Sequence, residues 1–242
     1  GKDVRFFRST NAVCTSSINS PADIKTALYN FHVKYGGKMV SFADHLLPVQ
    51  YSNLTVSASH LHTRNQASLF DVSHMLQTEV KGKDCISWME LLCPIDLQGM
   101  ADGTSSLTVF LNENGGILDD LIVTKINSEH LYIVSNAGRM EHDKQHMTKY
   151  FEKFQSEKKD LKLKFYNVNE KSLVAFQGPK AVQTLQTLSE YNFSELYFMN
   201  SIVTNIAGVE GCRITRCGYT GEDGVEISMP SDKSIQICES IM

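Results

Sequence analysis

The chain has no C-x-x-C pair, no phosphate-binding glycine fingerprint, no strongly basic stretch and no long apolar run. Each absence closes a class of function. Six cysteines, at 14, 85, 93, 212, 217 and 238, are too scattered in 242 residues for a disulfide scaffold. They read as reduced thiols in an intracellular compartment. Gly218-Tyr219-Thr220-Gly221-Glu222-Asp223-Gly224 is not followed by the lysine that a P-loop requires, and neither glycine-rich run fits the dinucleotide pattern. A net charge of -4 leaves no electrostatic footprint for nucleic acid, which is not expected as a partner. No apolar run approaches the ~18 residues of a spanning helix, so no membrane partner is expected either. Internal repeats and low-complexity tracts are also missing.

What is present is an ordinary globular composition, 42% hydrophobic and 21% charged, long enough for one large domain or two smaller ones. Residues 1–28 stand apart. Arg5, Arg8, Ser9, Thr10, Thr15, Ser16, Ser17 and Ser20 make them basic and hydroxyl-rich, with Asp3 and Asp23 the only acids. That is the composition of the tail of a mitochondrial transit peptide; a disordered terminus without an address is the alternative. At the other end, Cys238 to Met242 reads as the middle of an amphipathic helix without stop signals, so the chain is expected to be cut rather than finished.

The periodicity between these ends mixes strands and helices. Helices are expected over 54–66, 83–92 and 139–154, from Pro179, and from about 231. A strand is expected over 69–80, then strands near 105–111, 118–126, 130–135, 161–168, 172–177, 201–207, 211–216 and 224–229. Asn112-Glu113-Asn114-Gly115-Gly116 is a hairpin turn, because Asn and Gly accept positive φ cheaply. Strands in hairpins with few helices between them fit an α+β fold.

Two segments carry chemistry. The first is Ile117 to Val123, apolar except for Asp119 and Asp120. Acids in such a strand must be paired, hydrogen-bonded or working. Successive strand side chains face opposite ways, so only one of the two can face a given pocket, and the spacing does not say which. Both could instead cap the adjacent turn. The second segment is Arg216 to Ile227, with three glycines, Arg216, Tyr219, Glu222, Asp223 and Glu226. A carboxylate such as Glu226 can accept two parallel N–H bonds from an amino-pyrimidine edge, and Tyr219 could stack on the ring. An exposed strand glutamate and a tyrosine packed on its own turn are the plainer alternatives. Cys217 is a remote candidate nucleophile. His142 and His146 have zinc-pair spacing but no third ligand, and His60 and His62 read as a solvent-facing helix, so no metal is expected.

The segments Gly36–Val40, Leu47–Tyr51, Ser68–Met75, Asn114–Val123, Val134–Gly138, Gln177–Pro179 and Arg216–Ser228 resemble, in order and spacing, the aminomethyltransferase family, the T-proteins of the glycine cleavage system. The wording is most similar to the mitochondrial members. The resemblance implies an enzyme that takes the aminomethyl group from the lipoyl arm of H-protein and passes its one carbon to tetrahydrofolate. The products would be 5,10-methylenetetrahydrofolate, ammonia and dihydrolipoyl H-protein, in the mitochondrial matrix. It implies Asp120 as the catalytic carboxylate and Glu226 as the holder of the pterin edge. Met75, Leu107, Tyr132, Val134 and Tyr219 would line the folate pocket, with Asn136 near it. The implied fold is the first two α+β domains of a three-domain cloverleaf, with antiparallel sheets and flanking helices. A discontinuous first domain would take residues 29-76 plus 149-242, and an inserted second domain 77-148. The family pattern continues beyond Met242 with a folate-binding arginine and a barrel domain, which are absent here. It also has Gly-Trp where this chain has Asp44-His45. An inactive or folate-binding-only version of the fold, like relatives that assist iron–sulfur assembly, is the main alternative. The folate domain of a sarcosine or dimethylglycine dehydrogenase is another, but no flavin-binding fingerprint precedes it.

Overall fold

The computed structural model describes residues 23–242. The basic, hydroxyl-rich segment and Cys14 therefore lie outside the described residues up to residue 22. Three sheets carry the fold, and helices close their outer faces.

The first sheet is small. Strands β2 (Gly37–Phe42) and β3 (His45–Tyr51) form a hairpin, and the two-residue β1 (Ile24–Lys25) adds to β3 in parallel, the one departure from antiparallel pairing. β3 does not read as a strand because Pro48 interrupts it. The ladder tolerates Pro48 through a register shift between Lys38 and Met39 on the facing strand. The hairpin turn uses Ala43 and Asp44, both left-handed, with φ of 46° and 59°. A two-residue turn of this hand matches strand twist but suits Asn and Gly best. His45 is buried, its Nδ1 2.6 Å from the Ala43 carbonyl and its ring 6.1 Å from that of His74. It fills the place of the large apolar ring in the family pattern.

The second sheet has the order β11–β12–β13–β10–β4, all antiparallel: β4 (Ser68–Asp71), β10 (Lys171–Gln177), β11 (Ser201–Ile206), β12 (Val209–Thr215) and β13 (Gly224–Pro230). Helices α1 (Tyr29–Lys34), α5 (Ala181–Gln186) and α6 (Ser234–Ile241) cover one face. Val174, Phe176, Val225, Ile227 and Met229 point into that core, against Phe31, Leu185 and Ile237. Helix α2 (Val56–Asn65), capped by Thr55 Oγ1 accepting from the Ala58 amide, is mostly exposed.

The third sheet has the order β6–β7–β8–β5–β9: β5 (Leu76–Lys81), β6 (Thr104–Leu111), β7 (Ile117–Asn127), β8 (His130–Ser135) and β9 (Lys162–Phe165). Helices α3 (Cys85–Leu92) and α4 (Met140–Ser156) pack on one face through Trp88, Met89, Leu92, Met147 and Phe154. The expected single strand over 69–80 is two strands in different sheets. The turn Val72 to Met75 carries the chain from β4 to β5, and the alternating pattern on either side hides the break. Because β9 pairs with β5 and α4 packs on this sheet, the segment that builds the third layer runs from Leu76 to Phe165, past the edge expected at 148.

The uncovered faces of the second and third sheets meet each other. Tyr132 and Val134 from β8 and Leu173 from β10 form a small apolar cluster at this seam, with Val72, Met75 and Ile126. Gln77 is its polar brace. Its side-chain oxygen accepts from Tyr132 (2.8 Å) and from Ser228 (2.6 Å), and its amide nitrogen donates to the Lys171 carbonyl (3.3 Å). One buried amide on β5 thus joins β8 of its own sheet to β10 and β13 of the other. At the edge, the Ser105 amide donates to Met199 O and the Ser201 amide to Gly103 O.

Candidate functional site

Strand alternation decides which residues reach the seam. On β7, Leu121 and Val123 belong to the core under α4, so Asp119 shares their face and Asp120, with Ile122 and Thr124, turns to the seam. On β13, Val225 and Ile227 point to the helical core, so Glu226 and Ser228 turn to the seam from the opposite sheet. The two candidate carboxylates therefore face one space from opposite walls.

That space is a cavity of about 760 Å³. Its walls include Met75, Leu107, Asp120, Val134, Asn136, Tyr219 and Glu226. Seven of the eight residues expected from the sequence thus lie together. Tyr132 does not line this cavity. It is 7% exposed, braced to Gln77 through its hydroxyl, with the Arg213 guanidinium 5.0 Å from its ring, and it adjoins Glu226 only through a void of about 10 Å³. Phe198, His74, Leu173 and Cys217 also line the cavity and were not singled out as pocket residues. Phe198 is 74% exposed on a connection between elements, and a large apolar side chain outside any strand or helix was its only signal.

Asp120 is exposed to the cavity and held by Asn136, whose Nδ2 lies 2.7 Å from Asp120 Oδ1 and 3.0 Å from its carbonyl oxygen. The same nitrogen lies 3.0 Å from Asp119 Oδ1, and the Asn136 amide N–H donates to Asp119 Oδ2 at 3.2 Å. An amide nitrogen has two hydrogens, so these contacts share two donors among three acceptors. Glu226 is half-buried, and burial raises its carboxyl above the usual range; the Cys217 thiol beside it opposes this weakly. No N–H or O–H among the described residues bonds that carboxylate. It is an acceptor in need of donors.

The glycine-rich run proves largely architectural. Arg216 clamps Asp223 with two parallel bonds, 3.0 and 2.7 Å, and donates to Leu196 O. Glu222 pairs with Arg64, which also donates to the Thr220 carbonyl. Buried Gln177 pins the loop by donating to Cys217 O and Val225 O and accepting from Thr220 Oγ1. Gly218 is required by close approach, since a Cβ there would collide with the Gln177 amide. What these contacts present is Tyr219, 60% exposed, its ring edge-on to Phe70. Burial raises the Cys217 thiol far above its usual value, with the Glu226 charge adding to it, so it is not poised as a nucleophile. His60, His62 and His142 are exposed, and the His146 ring packs on Phe110. No metal-binding group of three His, Cys, Asp or Glu occurs among the described residues.

Stacked antiparallel sheets with opposed carboxylates at their seam define a class, and comparison with known proteins names it. Residues 28–242 match the family model described as the GCVT N-terminal domain, and the chain belongs to that family. It is 44% identical over 224 residues to the mitochondrial aminomethyltransferase of Flaveria anomala, covering 92% of this chain and 54% of that protein. It is 48% identical over 218 residues to the mitochondrial aminomethyltransferase of Homo sapiens, covering 90% and 53%. The chain thus spans about half the length of the curated relatives it matches. The crystal structure of the glycine cleavage system aminomethyltransferase T from Bartonella henselae superposes with a TM-score of 0.81 at 33% identity, over 90% of this chain and 57% of that one. A chain of the heterotetrameric sarcosine oxidase from Corynebacterium sp. U-96 shares the fold, with a TM-score of 0.56 at 10% identity.

Proposed function

We propose that the protein is an aminomethyltransferase of the glycine cleavage system. It transfers the one-carbon unit carried on the lipoyl arm of H-protein to tetrahydrofolate, giving 5,10-methylenetetrahydrofolate and ammonia. The observation that carries this reading is the cavity between the second and third sheets, with Glu226 on one wall and Asp120 on the other. The cavity suits a flat, amino-bearing ring. Glu226 offers carboxylate oxygens that no N–H or O–H of the described residues engages, only the weakly donating Cys217 thiol, where a pterin edge would supply two N–H groups. Val134, Leu173, Met75 and Leu107 give apolar walls for the ring faces, and Tyr219 borders the mouth.

Asp120 then stands where charge develops. As the aminomethyl carbon leaves its sulfur it gains iminium-like positive character, and a fixed carboxylate stabilises that charge while orienting the attacking folate nitrogen. Asn136 supplies the fixing. Enzymatic activity and a mitochondrial location are supported by the names of the relatives and by the likeness to them, and the H-protein partner and the matrix follow from the family resemblance of the motifs. In the full-length protein, Asp120→Asn should lower the transfer rate about 100-fold or more, the scale of losing one preorganised electrostatic group. Tetrahydrofolate affinity should change little. Equal loss of both would make Asp120 a binding residue, and unaltered turnover would remove it from the mechanism.

A further inference from the structure

Three residues of the turn between β4 and β5, Val72, His74 and Met75, line the cavity. Val72 and Met75 offer no polar side chain, and His74 Nδ1 is buried without a hydrogen-bond partner. The anchor is the fourth residue, Ser73, 2% exposed. Its amide donates to Asp71 Oδ1 at 3.0 Å. Its hydroxyl donates to the Leu173 carbonyl and accepts from the Leu173 amide, each at 3.1 Å. The Val72 amide donates to the same carbonyl, and the Met75 amide closes the turn on Val72 O, both at 3.0 Å.

A turn of this kind needs only one side-chain oxygen, which an exposed Asp or Asn supplies. Here the carboxylate is buried, its side chain 1% exposed, and its other oxygen is gripped as well. Thr26, just after β1, donates to Asp71 Oδ2 at 2.7 Å, and His32 Nε2 on α1 lies 3.0 Å from it. His32 is 4% exposed, and its Nδ1 lies 2.8 Å from the Tyr51 hydroxyl at the end of β3. Burial pushes the Asp71 carboxyl up, but the bonds from His32, Ser73 and Thr26 outweigh it and hold the group below its usual range. A carboxylate only accepts, so His32 Nε2 carries the hydrogen between them. Such a buried pair is a weak source of stability, because desolvation offsets most of the attraction. Its effect here is to leave Oδ1 a single place from which to hold Ser73.

We propose that Asp71 is a positioning residue: gripped by Thr26 and His32 on one oxygen, it holds the Ser73 amide with the other, and so fixes the turn that sets Val72, His74 and Met75 on the cavity. The first sheet and α1, which contribute no residue to that lining, thereby set the shape of its wall. The consequence for ligand binding rests on the reading of the cavity as the tetrahydrofolate site.

The test pairs two readouts on the full-length protein: hydrogen exchange of the Met75 amide without ligand, and calorimetric titration with tetrahydrofolate. The wild-type amide should be protected. Asp71→Ala removes the acceptor of the Ser73 amide and should abolish that protection, although Val72 O, the partner of Met75, is untouched. A wall in place for about a tenth of the time lowers apparent affinity about 10-fold, so tetrahydrofolate binding should weaken about 10-fold or more. Asp71→Asn keeps one oxygen for the Ser73 amide and turns an N–H toward His32, whose ring can take the other tautomer and donate to Tyr51. It should restore most of both readouts. Ser73→Ala frees the same turn from Leu173 with a smaller change, and should move both readouts as Asp71→Ala does even where Asp71→Ala fails to fold. Wild-type protection of Met75, or wild-type tetrahydrofolate affinity, in folded Asp71→Ala or Ser73→Ala would overturn the proposal. So would an Asp71→Asn variant as impaired as Asp71→Ala. Loss of protection as expected, in a protein whose wild type does not take up tetrahydrofolate, would leave the anchor standing and overturn the functional reading.

Discussion

Single residues carry the strongest physical statements about this protein. Asp119 and Asp120 are neighbours in sequence and opposites in placement. One sits under α4, 8% exposed, and the other looks into the cavity. Alternation shows from the sequence that they must diverge, but the face depends on which side of the third sheet the helices cover, and that is a long-range fact. Glu226 makes a pH prediction. Its folded-state pKa is raised, so the free protein retains that proton beyond the usual carboxylate range. Its contribution to stability is fully present at low pH and is lost as pH rises through the raised value. A ligand donating two N–H bonds needs the ionised form. Tetrahydrofolate affinity should therefore strengthen as pH rises through the same value, and Glu226→Gln should flatten that dependence in a calorimetric titration series. Asp44 gives a prediction independent of function. It occupies a left-handed turn position at φ 59°, where glycine costs less, so Asp44→Gly should raise unfolding stability by about 0.5–1 kcal/mol in urea melts.

At the scale of elements, the helices and most strands were legible because their apolar periods are local. The expected strands near 105–111, 118–126 and 130–135 match β6, β7 and β8 within a residue at each end. What periodicity hides is exchange between sheets. Residues 69–80 read as one strand because β4 and β5 are separated only by the short Val72–Met75 turn. β3 was hidden by Pro48, which the ladder accommodates with a bulge at Val49 beside it. In Arg216 to Gly224 the chemistry was legible, yet its use was not. Arg216, Glu222 and Asp223 find partners within the loop or on α2 and build the turn instead of facing a ligand. Gln77 ties β5, β8, β10 and β13 together, a role without any local signature. Gln77→Leu would leave the Tyr132 and Ser228 hydroxyls buried without their acceptor, and should cost about 2–4 kcal/mol of stability. The loss should appear as a lower denaturation midpoint, with folate affinity reduced because both cavity walls depend on the brace. A midpoint unchanged in Gln77→Leu would mean that the sheets are held together by the apolar cluster alone.

For the molecule as a whole, the proposed function depends on two sheets facing each other. Neither wall is a site without the other, since Asp120 and Asn136 belong to the third sheet and Glu226 and Tyr219 to the second. The family, its α+β fold and the partner residues in the cavity were legible from motif wording. Tyr132 was placed on the pocket surface by resemblance, and packing puts it a layer beneath, where its hydroxyl braces the seam. Phe198 escaped notice because exposure is invisible in a sequence. The central claim is that Glu226 holds the ligand from the second sheet while Asp120 acts from the third. Calorimetric titration of tetrahydrofolate into full-length wild-type protein and its Glu226→Ala variant, under reducing and anaerobic conditions, tests it most directly. Losing two charge-assisted hydrogen bonds should weaken binding by about 10- to 100-fold or more. A Glu226→Ala variant that is folded and binds tetrahydrofolate as tightly as the wild type would place the pterin elsewhere and contradict the account.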